Sequence, residues 1–268
     1  MMGKKLLALL LCGALLVTVL AACGAPEEKD VSAEQDSQPV ETEKEPDTGD
    51  ASLDNPRNQD GIGEKELLVV SFGTSYNDSR RLTIGAIENA MEEAFPEYAV
   101  RRGFTSQIII DHVKSRDNVS IDNVKQALDR AVENGVKTLV IQPTHLMDGL
   151  EYHELVDEVA QYSDAFEHLA IGKPLLTETA DYPALVQAME QDGVIRKSAE
   201  KAYLLMGHGT PHIINQAYPA FDYWLKRSGF DNVFVGTVEG YPTLETLLEL
   251  LKEHHYREVV LVPMMLVA

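Results

Sequence analysis

The chain has 268 residues and a formal net charge of −20 at pH 7, long enough for one large domain or two small ones. The acid excess continues through the folded part, so nothing points to nucleic-acid binding. Both cysteines, Cys12 and Cys23, lie near the amino terminus, which excludes disulfides and thiolate metal sites from the fold and leaves His, Asp or Glu to hold any metal.

The amino terminus reads as an export signal. Lys4 and Lys5 precede an apolar stretch over 6–20 that is too short to predict a membrane span. Leu20-Ala21-Ala22-Cys23 has the form of a lipobox, which predicts an acylated Cys23 anchoring the protein to the extracytoplasmic side of a bacterial membrane. A plain secretory signal or an uncleaved anchor is the alternative. Residues 24–63 are acidic and polar with almost no large apolar side chains, which predicts a disordered tether. The domain itself is expected over 64–268.

From residue 66 onward strand and helix patterns alternate. Leu67-Leu68-Val69-Val70 is a short apolar run ending in Ser71-Phe72-Gly73-Thr74. Asp78 is placed to cap a helix with Leu82, Ala86, Ala90, Met91 and Ala94 on its inner face. A strand is predicted over 99–104. Ser120 then precedes a helix with Val124, Ala127, Leu128, Ala131 and Val132 inward, closed by Gly135. Residues 137–141 read as a strand, 149–162 as an amphipathic helix and 168–171 as a strand, and Asp181 and Pro183 open another helix. Residues 203–206 form a strand ending in Gly207-His208-Gly209-Thr210. A helix carrying Ile213, Ala217, Phe221 and Trp224 follows, kinked at Pro219. A strand over 233–237, a Leu-rich helix over 242–254 and a strand over 258–262 complete the pattern. Such alternation predicts an α/β fold of parallel sheets covered by helices.

The pattern is a duplication, with halves of about 64–180 and 181–268. Residues 71–74 match 207–210, residues 100–103 match 233–236, and residues 140–143 match 260–263, in the same order. Ligands of parallel sheets bind beyond the strands' carboxyl ends, so both sets of strand ends should face one cleft. The first half continues past Pro143 through a helix and a strand, whereas the second stops soon after Pro263, so a terminal helix and strand are expected to be lacking.

Two strand ends carry histidines that break the repeat. His145 corresponds to Met265 and His208 to Phe72. Neutral imidazole suits Co2+, Fe2+, Ni2+ or Zn2+ and accepts protons near neutral pH. A buried, hydrogen-bonded core role is the alternative for either ring. Glu239, after the 233–237 strand, is a further candidate ligand, and Glu178 and Asp181 lie in the loop before the second half. His212 is read as a local helix-start contact or a cleft residue, and His153 as a surface residue. The turns Gly73-Thr74-Ser75 and Gly209-Thr210 could present backbone N–H groups to an anion, although neither is a phosphate loop. Arg80, Arg81, Arg101, Arg102, Lys114 and Arg116 form the main basic group, either scattered surface charge or a positive field for a polycarboxylate.

From residue 66 to 268 the sequence resembles the anaerobic cobalt chelatases (sirohydrochlorin cobaltochelatases) of the wider ferrochelatase-like group. The likeness is carried by Val69-Val70-Ser71-Phe72-Gly73-Thr74-Ser75-Tyr76, Phe104-Thr105-Ser106, the 141–145 segment with Gly149 and Glu151-Tyr152, and Gly172-Lys173-Pro174-Leu175-Leu176. Met206-Gly207-His208-Gly209, Val238-Glu239-Gly240-Tyr241-Pro242 and Pro263-Met264-Met265-Leu266 complete it. The resemblance implies two similar α/β halves enclosing a tetrapyrrole cleft, with Co2+ as the substrate metal. It implies that His145 and His208 bind the metal and that His145 accepts a pyrrole proton. Glu178 or Glu239 would complete the site, and Ser71, Gly73, Thr74, Gly209, Arg101 and Arg102 are the candidates for holding the tetrapyrrole. A homo-oligomer is compatible with this reading. The rival expectation is an anchored protein that binds haem, a corrinoid or free metal without catalysis.

Overall fold

The computed structural model describes residues 47–266. The signal, Cys23 and the first part of the expected tether lie outside the described residues. In chain order the first half holds strand β1 (Lys65–Ser71), helices α1 (Asn77–Leu82) and α2 (Ile84–Ala94), and strand β2 (Ala99–Phe104). It continues through helices α3 (Gln107–Asp117) and α4 (Val124–Glu133), strand β3 (Thr138–Pro143), helix α5 (Leu150–Ala160) and strand β4 (His168–Ile171). Helix α6 (Asp181–Gln191) leads to strand β5 (Lys201–Gly207), helix α7 (Ala217–Arg227) and strand β6 (Val233–Thr237). Helix α8 (Leu244–Lys252) and strand β7 (Glu258–Pro263) follow. Among the described residues no helix is long and apolar enough to cross a membrane.

Every strand pair is parallel, in two sheets of order β2-β1-β3-β4 and β6-β5-β7. The registers match across the repeat. Val70 pairs with Gly103 and Pro143, and its counterpart Met206 pairs with Gly236 and Pro263. A slip of one residue would turn each strand inside out, so this agreement fixes the duplication residue by residue. Alternate residues of β1 serve opposite faces. Leu68 and Val70 pack with α4 and α5, while Leu67 and Val69 face Ile87 and Met91 of α2. In β5, Tyr203 and Leu205 pack on α7, and Ala202, Leu204 and Met206 face Leu247 of α8.

The halves exchange side chains just past their third strands. Leu146, after β3, packs in the second half's core, and its counterpart Leu266, after β7, packs on Phe104 and Ile110 of the first half. An isolated bridge from Met147 to Leu176 fastens the first of these crossings.

Several local expectations differ from the structure. The segment 47–63, expected to be tether, packs on the first half. Arg57 is 3% exposed, and its carbonyl accepts from the Arg102 amide at the open edge of β2. The helix expected from Asp78 is two helices, with Ile84, Gly85 and Glu88 inward while Leu82 is 60% exposed. Helix α3 was not foreseen. Helix α4 starts at the Asn123 cap, whose side chain and that of Gln126 form a capping box, not at Ser120. Its Val132 points to solvent. Pro219 sits in the first turn of α7, where its missing N–H costs nothing, and the expected kink is a junction with a short 3-10 helix over Ile213–Gln216.

Candidate active site at the strand ends

The loop after β1 lies at the sheet's carboxyl edge. Gly73 has φ +100°, and a Cβ there would lie 2.5 Å from the Phe104 ring, so the tight turn requires glycine. Ser71 is buried, and its Oγ accepts from Thr144 Oγ1 at 2.9 Å. Thr74 is buried, and its Oγ1 accepts from the Tyr76 amide at 3.2 Å. Phe72 and Tyr76 remain exposed.

His145 stands at the seam between the halves. Thr144 donates its amide to Val70 O, the His145 carbonyl accepts from Leu175 N, and Leu146 then enters the other core. The imidazole is 10% exposed, and neither ring nitrogen has a hydrogen-bond partner. Its nearest charged neighbour is Glu151 in the first turn of α5, with Oε2 3.5 Å from Nε2. Glu151 was not among the predicted site residues. It is the second residue of α5, six residues after His145, and nothing in the sequence separates it from the other carboxylates of that helix.

His208 follows β5 and is open to solvent. Its Nδ1 lies 3.1 Å from the Gly209 carbonyl and 3.9 Å from Glu239 Oε2, and the Glu239 amide donates to the His208 carbonyl at 2.8 Å. Glu239 also lines a depression of ≈ 410 Å³ with Thr210, His212, Ile213 and Tyr241. The residue before α5 meets the short 3-10 helix after His208, where a Cβ on Gly149 would lie 3.8 Å from Ile214 Cγ2.

Other candidates are placed differently. Glu178 is exposed and pairs with Lys173, while its amide is capped by Asp181 Oδ2 at 2.6 Å. His212 caps the short 3-10 helix, accepting from Ile214 N at 3.3 Å, and His153 pairs with Asp148. Gly209 does not offer its N–H to an anion, because that group donates to Tyr218 Oη at 3.3 Å. Arg101 and Arg102 are not tetrapyrrole ligands, because both are fully buried and spent on carboxylates. Arg101 Nη2 donates to Asp122 Oδ2 at 2.8 Å, with Glu66 at 3.7 Å. Arg102 donates to Glu88 and to Asp54, each through two bonds. Desolvation costs forbid leaving such charges unpaired, and their partners come from distant parts of the sequence. Among the described residues no group of three or more His, Cys, Asp or Glu side chains forms a ready-made metal cage.

Two copies of a parallel α/β unit, with an imidazole just past a strand end of each, define a duplicated α/β protein. The model of the cobalt chelatase (CbiK) family matches residues 65–268. The chain is 38% identical over 205 residues to the sirohydrochlorin cobaltochelatase of Salmonella typhimurium, covering 76% of this chain and 77% of that protein. It is 28% identical over 218 residues to the sirohydrochlorin cobaltochelatase CbiKC of Nitratidesulfovibrio vulgaris, covering 80% and 76%. The chain belongs to the cobalt chelatase family.

Proposed function

We propose that the chain inserts Co2+ into sirohydrochlorin, the reaction for which its relatives are named. The observation that carries this reading is the His145 imidazole, shielded at the seam, without a hydrogen-bond partner and 3.5 Å from a carboxylate. Buried polar groups are normally paired, and an unpaired one calls for a function. Insertion exchanges the incoming divalent ion for two inner N–H protons of the macrocycle. His145 accepts the two pyrrole protons in turn, and Glu151 stabilises the imidazolium each time and relays each proton toward solvent from its exposed position. His208, with Glu239 behind it, receives the substrate ion from solvent. Phe72, Tyr76, Leu150, Leu175, Ile213 and Tyr241 are exposed apolar residues just past strand ends, which suits the faces of a planar macrocycle. The donor set does not itself select cobalt, since Fe2+, Ni2+ and Zn2+ bind the same groups, so the choice of metal rests on the family.

Purified protein mixed with Co2+ and sirohydrochlorin should convert many equivalents, followed by absorbance. A change that stops at one equivalent per chain would mean a carrier and would end the enzyme reading. His145→Ala should lower the rate by about 10²–10⁴-fold with an unchanged thermal melt. Lipid attachment at Cys23, on the extracytoplasmic side of the membrane, is part of the same proposal and is supported by the lipobox sequence. Labelled palmitate fed to a bacterial host should mark the parent protein but not Cys23→Ser.

A further inference from the structure

We infer that Asp54, on the segment preceding the family-matched region, is a positioning residue for the Gly73–Tyr76 loop and acts through Arg80. The family model begins at residue 65, so nothing in the match accounts for the ordered segment before it. That segment is tied to the start of α1 by three bonds, the longest from Asn77 Nδ2 to Thr48 Oγ1 at 3.4 Å. Thr48 O accepts from the Asp78 amide at 2.9 Å, and Gly49 O accepts from Asn77 Nδ2 at 3.0 Å. After a short 3-10 helix over Ala51–Leu53, Asp54 inserts its carboxylate between two guanidiniums that are 0% exposed. Arg80 Nε donates to Asp54 Oδ2 at 2.6 Å, and Arg102 Nη1 donates to the same oxygen at 2.7 Å.

Arg80 carries this anchorage to the strand-end loop. Its Nη1 donates to the Thr74 carbonyl at 3.2 Å and its Nη2 to Asn77 Oδ1 at 2.6 Å. The loop so held displays Phe72 and Tyr76, and Ser71 at its base bonds Thr144, next to His145. Asp54 is the one carboxylate that Arg80 touches in these bonds. Without it, the hydrogen bonds of a buried cation go to neutral acceptors alone, with Asp117 acting on it only through space, and such a group draws in water or swings outward. Either response releases the Thr74 carbonyl. The segment before the family-matched region thus sets the shape of one wall of the cleft. The consequence for tetrapyrrole binding rests on the function proposed above, whereas the consequence for the loop does not.

The test uses full-length protein carrying Asp54→Asn. Hydrogen exchange read by mass spectrometry should quicken about tenfold in peptides covering 72–77 and stay unchanged in peptides of β5 and α7. In cobalt insertion, KM for sirohydrochlorin should rise about tenfold while KM for Co2+ holds, as expected when only substrate positioning is lost. Asp54→Glu, which keeps the carboxylate, should restore part of both. Unchanged exchange in 72–77, or faster exchange spread evenly over both halves, would overturn the inference. If Asp54→Asn does not fold, Arg80→Met removes the bond to the Thr74 carbonyl while Asp54 keeps its two bonds from Arg102, and it must show the same local quickening. Parent protein that fails to turn over sirohydrochlorin would defeat the proposed function and leave the exchange result to judge Asp54.

Discussion

The two strand-end loops share a backbone and differ in what fastens them. Gly73 and Gly209 are equivalent and both have positive φ, +100° and +83°. In the first half the loop hangs from a buried guanidinium, Arg80, whose counter-charge comes from outside the repeat. In the second half neutral groups do the same task. Tyr218 Oη accepts from Gly209 N at 3.3 Å, and Asn215 Oδ1 accepts from Thr210 N at 3.0 Å. The residue displayed also differs, Phe72 in one loop and His208 in the other, both exposed. Duplication therefore preserved the turn while its supports and its displayed side chain diverged, so that one loop offers an apolar face and the other an imidazole.

The ion-wired half should be the more sensitive to loss of a single group. Glu88 is fully buried, accepts from Arg102 Nε and Nη2 at 2.7 Å, and lies 3.3 Å from Arg57 Nε. Glu88→Ala leaves two buried guanidiniums short of a partner and should destabilise the protein by about 3–5 kcal/mol in urea titration. A loss under about 1 kcal/mol would show that water replaces the carboxylate readily and would weaken the contrast between the halves.

The same charges explain where the sequence was hard to read. Strand registers were legible, because β1 and β5 are uninterrupted apolar runs with matching ends. The inner face of α2 was not, since an inward Glu88 looks like a solvent residue until Arg102, from another strand, is known to meet it. Arg101 and Arg102 were misread for the same reason. Asp54 and Arg57 sit in a polar stretch whose composition suggests disorder, and only non-local pairing orders it. His145 and His208 were legible because they break the repeat. Glu151 was not, because one carboxylate among several on α5 is singled out only by its 3.5 Å approach to His145.

A second buried carboxylate gives the first half a pH dependence of its own. Burial pushes Glu66 up to about 7, with Arg101 pulling it down and Asp122 adding to the rise. The folded state then holds a proton that the unfolded chain releases near the ordinary value of 4.5, so stability is full below that pH and falls as pH rises toward 7. Glu66→Gln mimics the protonated form and lacks this slope. Parent and variant should unfold alike at pH 4, with the variant ahead by at most roughly 3 kcal/mol at pH 8. Parallel curves across that range would mean that Arg101 keeps Glu66 ionised throughout.

The smallest effect belongs to the neutral fastening. Tyr218 is buried on the core face of α7, and burial pushes its hydroxyl above the ordinary value, so it stays a neutral acceptor for Gly209 N through the working pH range. Tyr218→Phe keeps the ring, against which a Cβ on Gly207 would collide at 2.1 Å, and removes only the oxygen. The buried Gly209 N–H is left without its partner, at a cost of about 1–1.5 kcal/mol that does not vary with pH. Hydrogen exchange at 208–210 should quicken while peptides at 72–77 do not change, the mirror image of the Asp54→Asn result. If both loops loosened together in either variant, the fastenings would be one network across the seam, and the contrast between a charged and a neutral half would fail.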